Sequence, residues 1–274
     1  MRRPLVLLSC LLALAVVAAA CQPQAPPPEL EVHFVDVGQG DGILVRVPGG
    51  GDLVIDGGRR SSGFADYVKR QGVSSLAIVV ATNPDADHIG GLIAVLKELR
   101  VEEVWLSGQP NNTQTFEDFV DAIAVAKAKT TEVRRGQQRA LGDASITVLH
   151  PIEPFFSGRN NNSVVLRLDY REVSFLFAGD AERQAEDSML KAGLELKATV
   201  LKMGHHGSRT SSSPAFVAAV APQHAVYQAG RNNQFGHPHP EAIAAVKAAG
   251  ATVLGTNVKG TIVMTSDGSA IKVR

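Results

Sequence analysis

The feature that most constrains this chain is the segment Thr82–Gly91, with the sequence Thr-Asn-Pro-Asp-Ala-Asp-His-Ile-Gly-Gly. It follows the apolar run Leu76–Ala81, which predicts a buried strand, and it precedes an apolar stretch that predicts a helix. The carboxylates of Asp85 and Asp87 and the imidazole of His88 thus lie together where a strand ends. Such a set suits a divalent ion. The alternative is an Asx-rich turn that caps the helix, for which one such residue is enough.

The pattern Asn83-x-Asp85-x-Asp87-His88 resembles the metal-binding signature of the metallo-β-lactamase-like hydrolases. The similarity is to the variant His-x-Asp-x-Asp-His, which occurs in the extracellular domain of ComEC-type DNA-uptake proteins. The chain departs from this pattern at Asn83, where the family has His. An amide oxygen is a weaker zinc ligand than an imidazole. The departure therefore predicts that an ion next to Asp85 is lost more easily or is exchanged for manganese.

Three later segments resemble the same family, in the same order. Gly179-Asp180 follows an apolar strand and matches the position of the family's bridging Asp. His205-His206-Gly-Ser follows the predicted strand Ala198–Met203. Adjacent histidines after a strand are expected to point to opposite sides, so that one binds an ion and the other faces the substrate as an acid. A surface pair of histidines is the alternative. Asn232–Pro240 resembles the pattern Asn-x-Tyr/Phe-Gly-His-Pro-His.

The resemblance implies a centre of one or two divalent ions, zinc or manganese, with a cleaved phosphodiester as the product. The implied metal ligands are Asp85, Asp87, His88, Asp180, His206 and His237, with Asn83 in the place of a His. The implied catalytic residues are His205, His206 and Asp87. The residues expected to bind substrate are Ser208, Arg209, Thr210 and Asn233, because a cation and hydroxyl groups suit a phosphate.

Asp36, Asp41 and Asp56 lie at the ends of predicted strands. Each either orients a metal-bound imidazole or caps a turn, and the sequence leaves both roles open. The Gly-rich loop 38–42 favours tight turns over a phosphate cradle, because no Lys-Ser/Thr pair follows it.

The amino terminus predicts export. Residues 1–20 have the charged, apolar and small-residue regions of a secretory signal. Cys21 follows Ala-Ala-Ala, which resembles a bacterial lipobox and implies a lipid anchor on the outer face of a membrane; an ordinary signal peptide with an incidental Cys is the alternative. Residues 21–30 are rich in Pro and predict a stiff tether, and residues 31–274 predict one globular domain.

Strands and helices alternate in two similar halves of this domain, each opening with a hairpin. This order predicts an α/β fold in which two mixed sheets pack face to face between outer helices, the four-layer αββα sandwich that the resemblance also implies. Lys and Arg together number 27, as do Asp and Glu, so the formal net charge is zero. A strong basic field over the whole surface is therefore excluded.

The predicted function is an exported metal-dependent hydrolase of phosphodiesters, with nucleic acid as the substrate by analogy to DNA uptake. A cell-envelope phosphodiester is a second candidate substrate, which the zero net charge favours. A degenerate domain that binds nucleic acid or a protein without cutting is a third hypothesis, motivated by Asn83.

Overall fold

Two large β-sheets form the centre of the structure, a computed structural model that describes residues 29–274. The strands of the first sheet are β1 Leu30–Phe34, β2 Gly42–Arg46, β3 Asp52–Gly57, β4 Ser75–Ala81, β5 Arg100–Leu106, β6 Lys129–Glu132, β14 Ile262–Ser266 and β15 Lys272–Val273. The strands of the second sheet are β7 Gln138–Leu141, β8 Ala144–His150, β9 Val165–Tyr170, β10 Val173–Phe177, β11 Val200–Lys202, β12 His224–Tyr227 and β13 Thr252–Gly255.

Each sheet is antiparallel in one half and parallel in the other. The strand orders are β15-β14-β1-β2-β3-β4-β5-β6 and β13-β12-β11-β10-β9-β8-β7. Strands β3 to β6 are parallel in the first sheet, and strands β10 to β13 are parallel in the second. The carboxyl ends of parallel strands share one edge of a sheet, where ligands commonly bind.

The helices lie on the outer faces of the sheets. They are α1 Phe64–Arg70, α2 Ala86–Ile89, α3 Leu92–Glu98, α4 Gln114–Ala126, α5 Arg183–Lys191, α6 Pro214–Val220, α7 Pro240–Ala248 and α8 Thr256–Lys259. Short 3₁₀ turns cover Asn160–Asn162 and Gly204–Gly207.

Three hydrophobic cores separate the layers. The central core, which includes Phe34 and Phe175, combines side chains of both sheets. A second core joins the first sheet to helices α1, α3 and α4 around Phe119. A third joins the second sheet to helices α5, α6 and α7 around Phe216. Helix, sheet, sheet and helix layers thus follow one another, which confirms the predicted αββα sandwich.

Local elements follow the sequence closely in most places. Helix α4 begins after Thr113, whose side chain caps it by accepting a hydrogen bond from the Phe116 backbone N–H at 3.3 Å. The helix predicted in the apolar stretch after Thr82–Gly91 is α3, and Gly90-Gly91 separates it from the short helix α2. Helices α1, α6 and α8 and strand β13 were not predicted.

None of the helices within residues 29–274 combines the length and the apolar character that crossing a bilayer requires. The predicted signal, residues 1–20, and the lipidation site Cys21 lie outside the described residues. Strand β1 begins at Leu30, the last residue assigned to the tether.

Candidate metal centre

The predicted site residues converge at the carboxyl ends of the parallel strands. Helix α2 follows β4 and carries Asp87 and His88. Asp180 follows β10, and the turn Gly204–Gly207 follows β11. Loop 38–42 packs directly on this group: a Cβ at Gly40 would lie 2.2 Å from the Asp87 carbonyl oxygen, so only glycine fits there.

Four side chains bring donor atoms to one point. His88 Nε2 lies 3.1 Å from Asp180 Oδ2, and His206 Nε2 lies 3.5 Å from Asp180 Oδ1 and 3.6 Å from Asp87 Oδ2. The His88 and His206 rings stack with centroids 5.4 Å apart. Ligands bound to one zinc ion at roughly 2.1 Å lie roughly 3–4 Å from one another. Donor atoms of Asp87, His88 and His206 all lie within 4.8 Å of one another, and Asp180 lies against both imidazoles, so these side chains fit a divalent ion.

The hydrogen bonding of these atoms supports the same conclusion. Within the part of the chain that the structure describes, His88 Nε2, His206 Nε2 and Asp180 Oδ1 are buried and have no hydrogen-bond partner. Buried polar atoms without a partner cost free energy. An ion bound between them would satisfy all three, and the residues present thus fit such a group.

A buried carboxylate orients each of the two imidazoles. His88 Nδ1 donates to Asp56 Oδ2 at 2.8 Å, and the Thr82 backbone N–H donates to Asp56 Oδ1 at 2.8 Å. His206 Nδ1 lies 3.1 Å from Asp41 Oδ1. With the Nδ1 proton held by a carboxylate, Nε2 presents its lone pair to the centre.

The positive charge of Lys202 neutralises the Asp41 carboxylate. Its Nζ donates to Asp41 Oδ2 at 2.6 Å and to the Met203 carbonyl at 2.9 Å, and its side chain is only 1% exposed. A lysine at the end of the apolar strand β11 indicates a buried charge, but the sequence does not show that Asp41 is its partner.

Charge at the centre is strongly negative. Burial alone would lower the pKa of His206, but the carboxylates of Asp180 and Asp41 outweigh burial and raise its pKa to about 10. Burial likewise opposes the ionisation of Asp180, yet the neighbouring His88 and His206 hold its pKa well below the ordinary value. The carboxylates thus favour a positive charge between them, whether on protonated imidazoles or on a bound cation.

Asp85 and Asn83, two of the implied ligands, lie outside this group. Asp85 Oδ1 accepts hydrogen bonds from Arg159 Nε at 3.0 Å and from Asn111 Nδ2 at 2.9 Å. Asn83 Nδ2 donates to Asn160 Oδ1 at 2.9 Å, and Asn83 Oδ1 accepts from the Asp85 backbone N–H at 3.0 Å. Asp85 belongs to neither of the two clusters of candidate ligands among the described residues, which are Asp87 with His88 and His206, and Asp41 with His88 and Asp180.

His205 lies beside the centre on its open side. Both histidines of the pair have left-handed backbone angles, with φ of 44° and 57°, so the strand alternation expected from the sequence does not apply. His205 Nδ1 lies 3.1 Å from Glu182 Oε1, and Nε2 lies 3.9 Å from Asp180 Oδ2. Burial opposes protonation of His205, but the hydrogen bond to Glu182 and the charge of Asp180 raise its pKa.

The residues expected to bind substrate have mixed surroundings. Thr210 Oγ1 donates to Glu182 at 2.9 Å and lies 2.9 Å from Ser208 Oγ. Arg209 is exposed. The Asn233 amide donates to two carbonyls and accepts from two backbone N–H groups of its own loop, which holds the loop in shape.

His237 also lies outside the group of four donors. Its ring is 5.3 Å from the His205 ring and 6.0 Å from the His206 ring, and burial and the nearby histidines lower its pKa to about 4.

The half-exposed ring of Phe235 stacks on His237 at 5.7 Å. Next to them, Gln39, Arg59 and Asn232–Phe235 line a groove of about 290 Å³.

Of the three strand-end carboxylates, Asp41 and Asp56 contact imidazoles, whereas the exposed Asp36 carboxylate accepts a local hydrogen bond from the Gly38 N–H. Lys202, Glu182 and Arg159 also contact residues of this site and were not predicted from the sequence.

The model of the metallo-beta-lactamase superfamily matches residues 35–231. The chain belongs to this superfamily. Metallo-β-lactamase proteins are generally hydrolases that bind one or two divalent metals, and the candidate ligands here fit that description.

Competence proteins are among the relatives of this metallo-β-lactamase chain. It is 30% identical over 253 residues to ComE operon protein 3 of Bacillus subtilis, covering 85% of this chain and 33% of that protein. It is 32% identical over 246 residues to competence protein ComA of Neisseria gonorrhoeae, covering 88% and 33%. The chain therefore spans about a third of the length of these two relatives.

Solved structures share the metallo-β-lactamase fold at low identity. The metallo-β-lactamase fold protein YhfI from Bacillus subtilis superposes with a TM-score of 0.53 at 14% identity, covering 82% of this chain and 95% of that chain. The metallo hydrolase Igni18 from Ignicoccus hospitalis superposes with a TM-score of 0.56 at 17% identity, covering 85% and 98%. These two likenesses concern the fold alone.

Proposed function

We propose that this protein is an exported, metal-dependent phosphodiesterase whose substrate is nucleic acid. The observation that carries the proposal is that Asp87, His88, Asp180 and His206 lie together while the buried atoms His88 Nε2, His206 Nε2 and Asp180 Oδ1 lack hydrogen-bond partners in the described chain. A divalent ion held there would lower the pKa of a water molecule and stabilise the oxygens of a phosphoryl group during in-line displacement.

His205 is the proposed general acid. Its Nδ1–H points to Glu182, which leaves the Nε2–H directed towards the centre, 3.9 Å from Asp180 Oδ2. As the bond from phosphorus to the leaving oxygen breaks, this proton passes to the alkoxide, a step worth roughly 10²- to 10⁴-fold in rate. His206 is 1% exposed and is assigned to the metal instead.

Two observations support a nucleic-acid substrate. The relatives at 30–32% identity are competence proteins by name. In addition, the half-exposed Phe235 lies in the same groove as Arg59, close to His237 and thus to His205. An exposed aromatic ring next to a cation suits a nucleobase and its phosphate. Export and lipid attachment at Cys21 remain part of the proposal and agree with the cell-envelope role that competence relatives suggest.

The test is an assay of the purified full chain with and without manganese or zinc. We expect metal-dependent cleavage of linear single-stranded DNA and of bis(p-nitrophenyl) phosphate, both abolished by His88→Ala and both retained by the exposed-site control Asp36→Asn. Turnover of the small diester alone would contradict the nucleic-acid substrate and favour an envelope diester. Retained metal without turnover of either compound would contradict the hydrolase and favour a non-catalytic binding domain.

A further inference from the structure

Arg159 occupies a special position next to the metal centre. We propose that its guanidinium takes the place of a second cation at Asp85, so that the centre holds one ion and Arg159 binds the phosphoryl group of the substrate. The phosphoryl part rests on the proposed function, whereas the ion count does not.

The carboxylate that a second ion would need is already engaged. Asp85 Oδ1 accepts from Arg159 Nε at 3.0 Å and from Asn111 Nδ2 at 2.9 Å. The planar guanidinium of arginine keeps its positive charge in proteins. An ion that bound Asp85 would have to displace this pair or accept strong repulsion from it.

The second expected ligand position is also filled. Asn83 replaces a family His. Its Nδ2 donates a hydrogen bond to Asn160 Oδ1 at 2.9 Å, and its Oδ1 accepts one from the Asp85 backbone N–H at 3.0 Å. These hydrogen bonds thus occupy the position where the family His would bind a second ion. The residues around Asp85 fit an arginine and do not fit a metal.

Arg159 is placed to reach substrate. It directly precedes Asn160, whose Nδ2 lies 3.5 Å from His205 Nδ1, so the two residues border the site near the proposed acid. The Arg159 side chain is 50% exposed, and among residues 29–274 its two terminal nitrogens have no hydrogen-bond acceptor. Two parallel N–H groups match two oxygens of a phosphate.

The first experiment counts ions per purified full chain by elemental analysis after dialysis against manganese or zinc. We expect one ion in the wild type, one in Asn83→His, and two in Asn83→His/Arg159→Ala, because only the double variant supplies the imidazole and removes the guanidinium. Two ions in the wild type or in Asn83→His, or one ion in the folded double variant, would overturn the inference. Circular dichroism checks that each variant is folded.

The second experiment measures binding of inorganic phosphate by calorimetry to the one-ion protein. We expect about tenfold weaker binding in Arg159→Ala, a smaller loss in Arg159→Lys, and wild-type binding in Arg100→Ala, which removes an exposed arginine elsewhere. Unchanged affinity in Arg159→Ala would overturn the phosphoryl-binding role.

The failures of the two proposals are distinguishable. The expected ion counts and phosphate affinities without any hydrolysis would refute the proposed function and leave this inference standing. Hydrolysis together with two ions in the wild type would refute this inference and leave the proposed function standing.

Discussion

His88 Nδ1 and Asp56 Oδ2 lie 2.8 Å apart, and both side chains are almost completely buried. Asp56 makes this contact from a left-handed backbone conformation, with φ of 57°, which aspartate and asparagine adopt more readily than most residues with a side chain. The contact keeps the His88 Nε2 lone pair directed at the centre.

Asp56→Asn is therefore expected to weaken metal binding about 10- to 100-fold, because the amide tolerates the same backbone but carries no charge. Competition with a metal-sensitive dye measures the affinity. Asp36→Asn is the matched control, since the exposed Asp36 carboxylate accepts a hydrogen bond from the Gly38 N–H and from no other group among residues 29–274. Equal affinities of the two variants would contradict the orienting role of Asp56.

Lys202→Met is expected to destabilise the fold by about 3–5 kcal/mol, because the Asp41 carboxylate would stay buried without its cation. Urea denaturation measures the free energy of unfolding. Lys272→Met removes an exposed partner of Glu29 and is expected to cost less than about 1 kcal/mol. A similarly small loss in Lys202→Met would show that Asp41 is not held as an anion by this lysine.

The buried His150 is expected to lower the free energy of unfolding in acid. Burial lowers its pKa to about 4, while its Nε2–H donates to the Asn161 carbonyl at 2.7 Å. Below about pH 6.5 the imidazole of His150 binds a proton in the unfolded chain but stays neutral in the native state. The contribution of His150 to the free energy of unfolding therefore falls by about 3 kcal/mol as pH drops from about 6.5 to 4.

The measurement for His150 is the free energy of unfolding at pH 7 and pH 4.5 in the wild type and in His150→Gln, whose amide can keep the hydrogen bond. We expect the variant to lose less stability on acidification than the wild type. Parallel losses in both proteins would exclude His150 as the cause.

Phe235→Ala is expected to raise the KM for single-stranded DNA about tenfold, since stacking on one base contributes roughly 1–3 kcal/mol, and to leave turnover of bis(p-nitrophenyl) phosphate unchanged. Phe235→Tyr is expected to keep the wild-type KM for single-stranded DNA, because its ring can still stack on a base. Val125→Ala removes an exposed apolar side chain on α4 and serves as the control. A uniform change for both substrates would argue against a nucleobase contact.

The sequence was sufficient to predict the sandwich and the strand ends where Asp87, His88 and Asp180 lie. Hydrophobic runs reveal buried strands, and polar residues directly after such runs are confined to a short stretch of chain. The same reasoning could not predict how the His205–His206 pair is oriented, because left-handed backbone angles in that turn replace the alternation of a strand.

Contacts between distant residues explain what else the sequence did not reveal. Arg159 and Asp85 are 74 residues apart, and Lys202 and Asp41 are 161 residues apart, so neither pair leaves a local pattern. Spacing alone cannot show whether Asp85 faces an ion or a guanidinium. Only the packing of the two sheets brings these charges together.

The most direct test of the metal centre is a crystal structure of the protein grown with manganese or zinc, with anomalous diffraction recorded at the absorption edge of the metal. We predict one anomalous peak within about 2.3 Å of His88 Nε2 and His206 Nε2, in contact with Asp87 and Asp180. Either a map without a peak between these four side chains, or one whose peak lies between Asp85 and Asn83 instead, would contradict this account.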